Sequence, residues 1–92
     1  MRLGEDELIN AICYHMAERK QISPKQVEAQ LSWDEQYGYS CEVFAEGRSQ
    51  ILVEANMLEA IERYLLKQYN MRVFRSQIRL DIDDEMHATI DA

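Results

Sequence analysis

The chain has 92 residues, the size of one small domain, and 47% of them are hydrophobic, as expected for a protein that folds around its own apolar core. Its formal net charge of −7 disfavours nucleic acid as a partner, because phosphate binding requires a cationic surface. No stretch approaches the roughly 18 apolar residues that span a bilayer, and no signal-peptide core is present, so no membrane association and a cytoplasmic location are expected.

Two segments have the apolar spacing of amphipathic helices. In residues 5–20, apolar side chains recur every three or four positions, with acids in the first turn and bases in the last, which suits the helix dipole. A second apolar stripe occupies residues 56–70, with Asn56 predicted as the N-cap and Glu59 three residues later. The run SPKQ at 23–26 predicts a capping box and one helical turn.

Three strands with alternating apolar and polar residues are predicted between the helices. The register that pairs Trp33 with Tyr39 places apolar residues opposite each other along the first two strands. A three-residue loop at 46–48 is then predicted to pair Val43 with Ile51 in the third strand. The result is a three-stranded antiparallel meander.

In that register, Phe44 and Leu52 lie on the side of the sheet opposite Val43. A sheet that is covered by helices on one side usually shows polar residues on the other. Two interpretations remain open: scattered apolar exposure, which is common, or a surface for a homodimer or a protein partner.

The segment LDIDDEMH, residues 80–87, carries four carboxylates and one of the two histidines. A two-residue turn would place apolar residues opposite polar ones on the flanking strands. A three-residue loop at 83–85 instead pairs Ile82 with Met86 and sets His87 opposite Asp81 on the solvent face. We therefore predict a hairpin with an acidic tip.

This tip could be a solvated turn, a weak cation site, or a metal or small-ligand site that uses Asp81, Asp83 and His87. A zinc site needs three or four converging ligands, and the spacing of a calcium-binding EF-hand loop is absent. We expect a solvated turn and no cofactor, and we retain metal binding as the alternative.

Basic residues concentrate just before this hairpin. Five of them and no acids lie between positions 63 and 79, whereas residues 80–92 carry acids and no bases. Neutralisation between neighbouring segments is the simpler interpretation, and a small anion-binding patch is the other.

No catalytic constellation is visible. Cys13 and Cys41 fall on predicted apolar faces, where a thiol ionises poorly, and His15 is two positions from Cys13, so the two do not face each other on a helix. The common nucleotide-binding and nucleophile motifs are absent. A non-enzymatic protein is expected.

The run from INAICYHM to LLKQYNM, residues 9–71, together with IRLDIDDE, resembles the YxcD-like family of small uncharacterised bacterial proteins. The resemblance implies a bacterial cytosolic origin and a shared fold, and it transfers no site residue.

The sequence thus predicts one α+β domain over residues 1–92, in the order α-β-β-β-α-β-β, with two helices packed on one face of a mostly antiparallel sheet. Whether the last hairpin joins that sheet stays open. The predicted function is a protein-interaction or dimer-forming module, with divalent-metal or small-ligand binding at the acidic hairpin as the alternative.

Overall fold

Both predicted helices are present. In the structure, a computed structural model that describes residues 1–91, α1 spans Glu5–Lys20 and α2 spans Glu54–Tyr69. They end at Gln21 and Asn70, whose φ angles are 57° and 52°, the left-handed conformation that commonly terminates helices. Within the described part of the chain, no helix is long and apolar enough to cross a membrane.

The start of α2 differs from the prediction. The helix begins two residues before Asn56, and the Asn56 side chain accepts a hydrogen bond from the Val53 backbone N–H at 3.1 Å. Asn56 therefore caps from inside the first turn rather than from the N-cap position. The capping box at Ser23 is confirmed: its N–H donates to Gln26 Oε1 at 3.0 Å, and a 3₁₀ turn spans Pro24–Gln26.

The central meander comprises the strands Glu28–Asp34, Gly38–Ala45 and Arg48–Val53, which we number β2, β3 and β4. They form an antiparallel sheet in the order β2-β3-β4. Trp33 lies opposite Tyr39, so the predicted β2–β3 register is confirmed.

The predicted β3–β4 register is wrong by one residue. Val43 lies opposite Gln50 rather than Ile51, because a two-residue turn replaces the predicted three-residue loop. The turn residues Glu46 and Gly47 have φ angles of 54° and 74°, the combination that two-residue type I′ turns require. A shift of one residue turns every β4 side chain to the other face.

A second three-stranded antiparallel sheet contains β5, Ile78–Ile82, and β6, Met86–Ile90, with the short N-terminal β1, Arg2–Leu3. The strand order is β1-β6-β5, so the C-terminal hairpin does not extend the meander. The predicted hairpin register is confirmed, with Ile82 opposite Met86. β1 was not predicted, because a strand of two residues is too short to display the alternation of apolar and polar side chains.

Both helices and both sheets contribute to one apolar core. α2 contacts β3 and β4, and α1 contacts β2, β1 and β6. The largest fully buried side chains are Leu3, Leu8, Ile12, Leu52, Met57, Ile61, Leu65, Ile90, Val43 and Cys41. The predicted α+β class and the predicted order of elements are confirmed, with β1 added and the strands divided between two antiparallel sheets.

Candidate functional site

The tip of the β5–β6 hairpin is stabilised by one of its own carboxylates. Asp83 Oδ1 accepts a hydrogen bond from the Glu85 backbone N–H at 3.2 Å, and Arg2 on β1 lies 3.3 Å from Asp83 Oδ2. The pKa of Asp83 is lowered, first by the Glu85 N–H and then by the charges of His87 and Arg2. About half of the Asp83 side chain is exposed, so this carboxylate supports an open turn.

The acidic tip lies against the acidic first turn of α1. The pKa of Glu85 is raised, first by a hydrogen bond with the Glu5 carboxyl group and also by the charges of Glu5, Asp6 and Asp83. Like charges at short range disfavour the ionised form, so the carboxyl groups of the tip and of the first turn of α1 destabilise one another's negative charge.

His87 has the predicted cross-strand neighbour, but its predicted exposure is wrong. It lies opposite Asp81, yet it is only 8% exposed. β6 is the middle strand of its sheet, with β1 on one side and β5 on the other, so His87 has neighbouring strands on both sides, whereas the sequence pattern predicted only β5. His87 Nδ1 is 3.8 Å from Asp83 Oδ2, too far for a hydrogen bond. This nitrogen has no hydrogen-bond partner among residues 1–91.

The geometry offers no support for the metal alternative. Within residues 1–91, no three His, Cys, Asp or Glu side chains come together in an arrangement that could hold a metal ion. Asp81, Asp83 and His87 are therefore not grouped as ligands, and the Asp81 carboxylate instead accepts from the Ile82 backbone N–H at 2.8 Å.

The apolar residues on the exposed side of the meander differ in part from the predicted ones. Phe44 is 39% exposed as expected, whereas Leu52 is only 2% exposed and belongs to the core, so its predicted place on the interface is wrong. The two-residue turn at Glu46–Gly47 is the cause. It brings Ile51 and Val53 to the surface in place of Leu52, with exposures of 59% and 56%.

We use the term outer face for the side of the meander opposite the buried side chains of Cys41, Val43 and Leu52. It consists of positions 28, 30, 32 and 34 of β2, positions 40, 42 and 44 of β3, and positions 49, 51 and 53 of β4. Ile51 is a diagonal cross-strand neighbour of Phe44, and Val53 follows Ile51 on the same side of β4. Such neighbours are within contact range, so the three side chains form one stripe.

Carboxylates flank this stripe. Glu28 lies directly opposite Phe44, and Glu42 lies directly opposite Ile51. The strand positions of the outer face hold no lysine or arginine, and neither Glu28 nor Glu42 forms an ion pair within residues 1–91. The strand positions of the outer face are therefore apolar and acidic, with Lys25 and Arg48 at the edge beside Glu28 and Phe44.

The two thiols are poorly suited to nucleophilic chemistry. Burial raises the pKa of the Cys41 thiol to about 11 and also raises the pKa of Cys13. The Cys13 Sγ additionally donates to the Val27 carbonyl oxygen at 3.4 Å. Because the thiolate is the reactive form, little nucleophile is present at neutral pH.

A cleft of about 200 Å³ between α1 and α2 was not predicted from the sequence. Its rim carries Glu18 of α1, which accepts hydrogen bonds from Arg63, at 2.8 Å, and from Lys67 of α2. These two hydrogen bonds, Lys67 first, lower the pKa of Glu18. The rings of Tyr14 and Tyr64 also line the cleft, stacked with centroids 6.2 Å apart.

His15 lines the same cleft and is 6% exposed. Neither ring nitrogen has a hydrogen-bond partner among residues 1–91, and the closest carboxylate oxygen, on Glu59, lies 3.9 Å from Nε2. Burial is the largest influence and lowers the pKa of His15; Arg19 and Arg63 act in the same direction, against Glu59 and Glu18. An unsatisfied buried polar atom costs about 1–3 kcal/mol.

The sequence contained only a weak signal for this cleft. His15 follows Ala11 by one helical turn, on the buried side of α1, and a histidine among apolar residues is usually a core residue. The fit of α1 against α2, which brings His15 near Arg63 and Lys67, depends on packing that periodicity does not report.

No curated protein and no solved structure gives a match. A family model described as "Protein of unknown function (DUF2653)" matches residues 1–85, which is most of the chain. The expected membership of an uncharacterised family is thereby confirmed: the chain belongs to the DUF2653 family.

Proposed function

We propose that this chain is a non-enzymatic protein-interaction module and that the outer face of the meander is its docking surface. The observation that carries the proposal is the exposed stripe of Phe44, Ile51 and Val53. Exposed apolar side chains that adjoin one another are characteristic of interaction surfaces, whereas isolated ones need no explanation.

Charge indicates which kind of partner fits. Glu28 and Glu42 stand directly across the strands from Phe44 and Ile51. The strand positions of the outer face hold no base, although Lys25 and Arg48 border its Phe44 end. A partner surface with lysines or arginines around an apolar centre would bury the stripe and neutralise both carboxylates. Complementary charge of this kind accelerates association and excludes wrong partners.

A second copy of the same chain fits less well. In a two-fold symmetric dimer the same patch faces itself, so Glu28 and Glu42 of one protomer would approach the same acidic patch of the other. The net charge of −7 on each copy adds a general repulsion. The proposed occupant is therefore a different protein with a basic, apolar surface.

The test uses a defined probe. A synthetic peptide of about ten residues that alternates leucine and lysine presents one apolar and one basic side. Isothermal titration of the full chain with this peptide should show saturable binding that weakens as salt is added. A peptide with glutamate in place of lysine should not bind.

Variants locate the binding. Phe44→Ser and Ile51→Ser should each weaken the peptide at least about fivefold, as expected of central apolar contacts. Leu66→Ser is the matched control, because Leu66 is 44% exposed on α2, away from the outer face, and it should leave affinity unchanged. Equal losses for all three variants would contradict the proposal.

Light scattering separates the two possible occupants. The proposal expects a monomer over a wide concentration range. A concentration-dependent dimer that Phe44→Ser abolishes would instead identify a second copy as the partner and overturn the choice of a basic protein.

The narrower YxcD-like assignment and a bacterial cytosolic setting are also proposals. They rest on the sequence resemblance of residues 9–71 and of the IRLDIDDE segment.

A further inference from the structure

The cleft between α1 and α2 combines an apolar interior with a cationic rim. Ala11 and Ala60, both fully buried, line it together with the rings of Tyr14 and Tyr64. Flat aromatic walls and alanine methyl groups favour a flat apolar group by contact and by release of water. This location is separate from the outer face of the meander.

The positive charge of Arg63 and Lys67 at the rim exceeds the negative charge of Glu18. Arg63 and Lys67 each direct one nitrogen to the Glu18 carboxylate, which leaves one positive charge in excess. A guanidinium and an ammonium group each have further N–H donors beyond the one used here. Both side chains are about half exposed, so these donors can reach an anion that enters from solvent.

His15 adds an unused polar group to the interior. Its side chain is 5% exposed, and both ring nitrogens lack a hydrogen-bond partner among residues 1–91. A neutral imidazole has one donor and one acceptor. Both nitrogens are fully buried, so a ligand hydroxyl group satisfies one of them once side chains that line the cleft move aside.

Size limits the ligand. An apolar cavity of about 150 Å³ accommodates benzene, so the volume of about 200 Å³ here corresponds to roughly eight to ten non-hydrogen atoms. Larger cofactors and nucleotides would not fit within it.

We infer that this cleft binds a small organic monoanion, a carboxylate on a flat apolar body that also bears one hydrogen-bonding group. The carboxylate lies at the rim and shares Arg63 and Lys67 with Glu18. The ring lies between the helices beside Tyr14 and Tyr64, and its polar substituent faces His15.

The experiment titrates the full chain with benzoate and its hydroxylated isomers at concentrations up to about 50 mM, observed by heteronuclear NMR. Benzoate should produce saturable shifts confined to residues near 11–18, 24 and 60–68. Benzyl alcohol, which has the ring without the charge, should bind at least about fivefold more weakly. Inorganic phosphate and acetate, which have charge without a ring, should bind no better than benzyl alcohol.

Two variants assign the roles. Lys67→Gln should weaken benzoate at least about fivefold, whereas Arg48→Gln, which removes an equal charge in the meander, should not. At least one hydroxybenzoate should bind more tightly than benzoate to the natural chain, and this gain should disappear in His15→Phe. Thermal melting of each variant establishes that it is folded.

Three results would overturn the inference. The first is the absence of saturable shifts with every benzoate. The second is benzoate affinity that Lys67→Gln and Arg48→Gln lower equally, which would indicate attraction to any positive charge. The third is inorganic phosphate that binds as well as benzoate, which would leave no role for the apolar walls.

Discussion

Apolar alternation predicts the strand register correctly for the β5–β6 hairpin and incorrectly for the β3–β4 hairpin. Matching apolar residues across the strands predicts the β5–β6 register correctly, because Ile78, Leu80 and Ile82 alternate strictly with polar residues. In β4 the apolar residues Ile51–Val53 are consecutive, so two registers place an apolar side chain inward. In that hairpin the conformation of the turn sets the register, and the two-residue turn at Glu46–Gly47 leaves Ile51 exposed.

The largest expected effect tests which β4 residue is in the core. Leu52→Ala should lower the free energy of unfolding by about 2–5 kcal/mol, because it leaves a cavity in a packed interior. Ile51→Ala should change it by less than about 1 kcal/mol, as surface substitutions usually do. Urea denaturation of both variants measures the difference. A larger loss of unfolding free energy for Ile51→Ala than for Leu52→Ala would instead support the predicted register, in which Val43 pairs with Ile51.

The second largest effect is the loss of stability caused by substitutions in the two hairpin turns. Gly47→Ala should cost about 1–2 kcal/mol, because an alanine at a φ of 74° enters a region that L-residues avoid. The β5–β6 turn has no positive φ among the described residues, so Asp84→Ala should stay within about 0.5 kcal/mol. The same denaturation experiment compares them, and equal costs would show that backbone conformation does not distinguish the two turns.

The smallest effect is the pH-dependent stabilisation of the β5–β6 turn by the Asp83 carboxylate. The pKa of Asp83 is lower in the folded state, chiefly because of the Glu85 N–H, so its contribution is present above the unfolded pKa of about 3.9. That contribution is lost as the pH falls through the folded pKa. The protection factor of the Glu85 amide, the exchange rate of an unstructured peptide divided by that of the amide at the same pH, should fall over this range, and Asp83→Asn should remove the dependence. The Glu46–Gly47 turn, defined by its positive φ angles, should show no comparable change. A protection factor that stays constant in the natural chain would refute the role of Asp83.

Regular spacing of apolar residues, every three or four positions in helices and every second position in strands, accounts for what could be predicted. It predicted α1 to the residue, the β2–β3 register and the acidic hairpin, because in each case only one arrangement buries the apolar residues together. It predicted Phe44 on an exposed face for the same reason. For each of these elements, the residues within the segment or hairpin are sufficient to predict the structure.

The remaining features depend on partners distant in the sequence. His87 lies on a strand that β1, from the other end of the chain, flanks, and the hairpin sequence carries no sign of this third strand. The environment of His15 arises where α1 meets α2, and the outer-face residues Ile51 and Val53 follow from the left-handed conformation of Glu46, which non-glycine residues adopt infrequently. None of these is a repeating pattern that a single segment can display.

The account depends most directly on which β4 side chains meet solvent. Methyl relaxation by a soluble gadolinium chelate reports this in the intact chain, residue by residue. We predict strong enhancement for Ile51 and Val53 and almost none for Leu52. Strong enhancement at Leu52 with protection of Ile51 would contradict the register, the outer face and the function proposed for it.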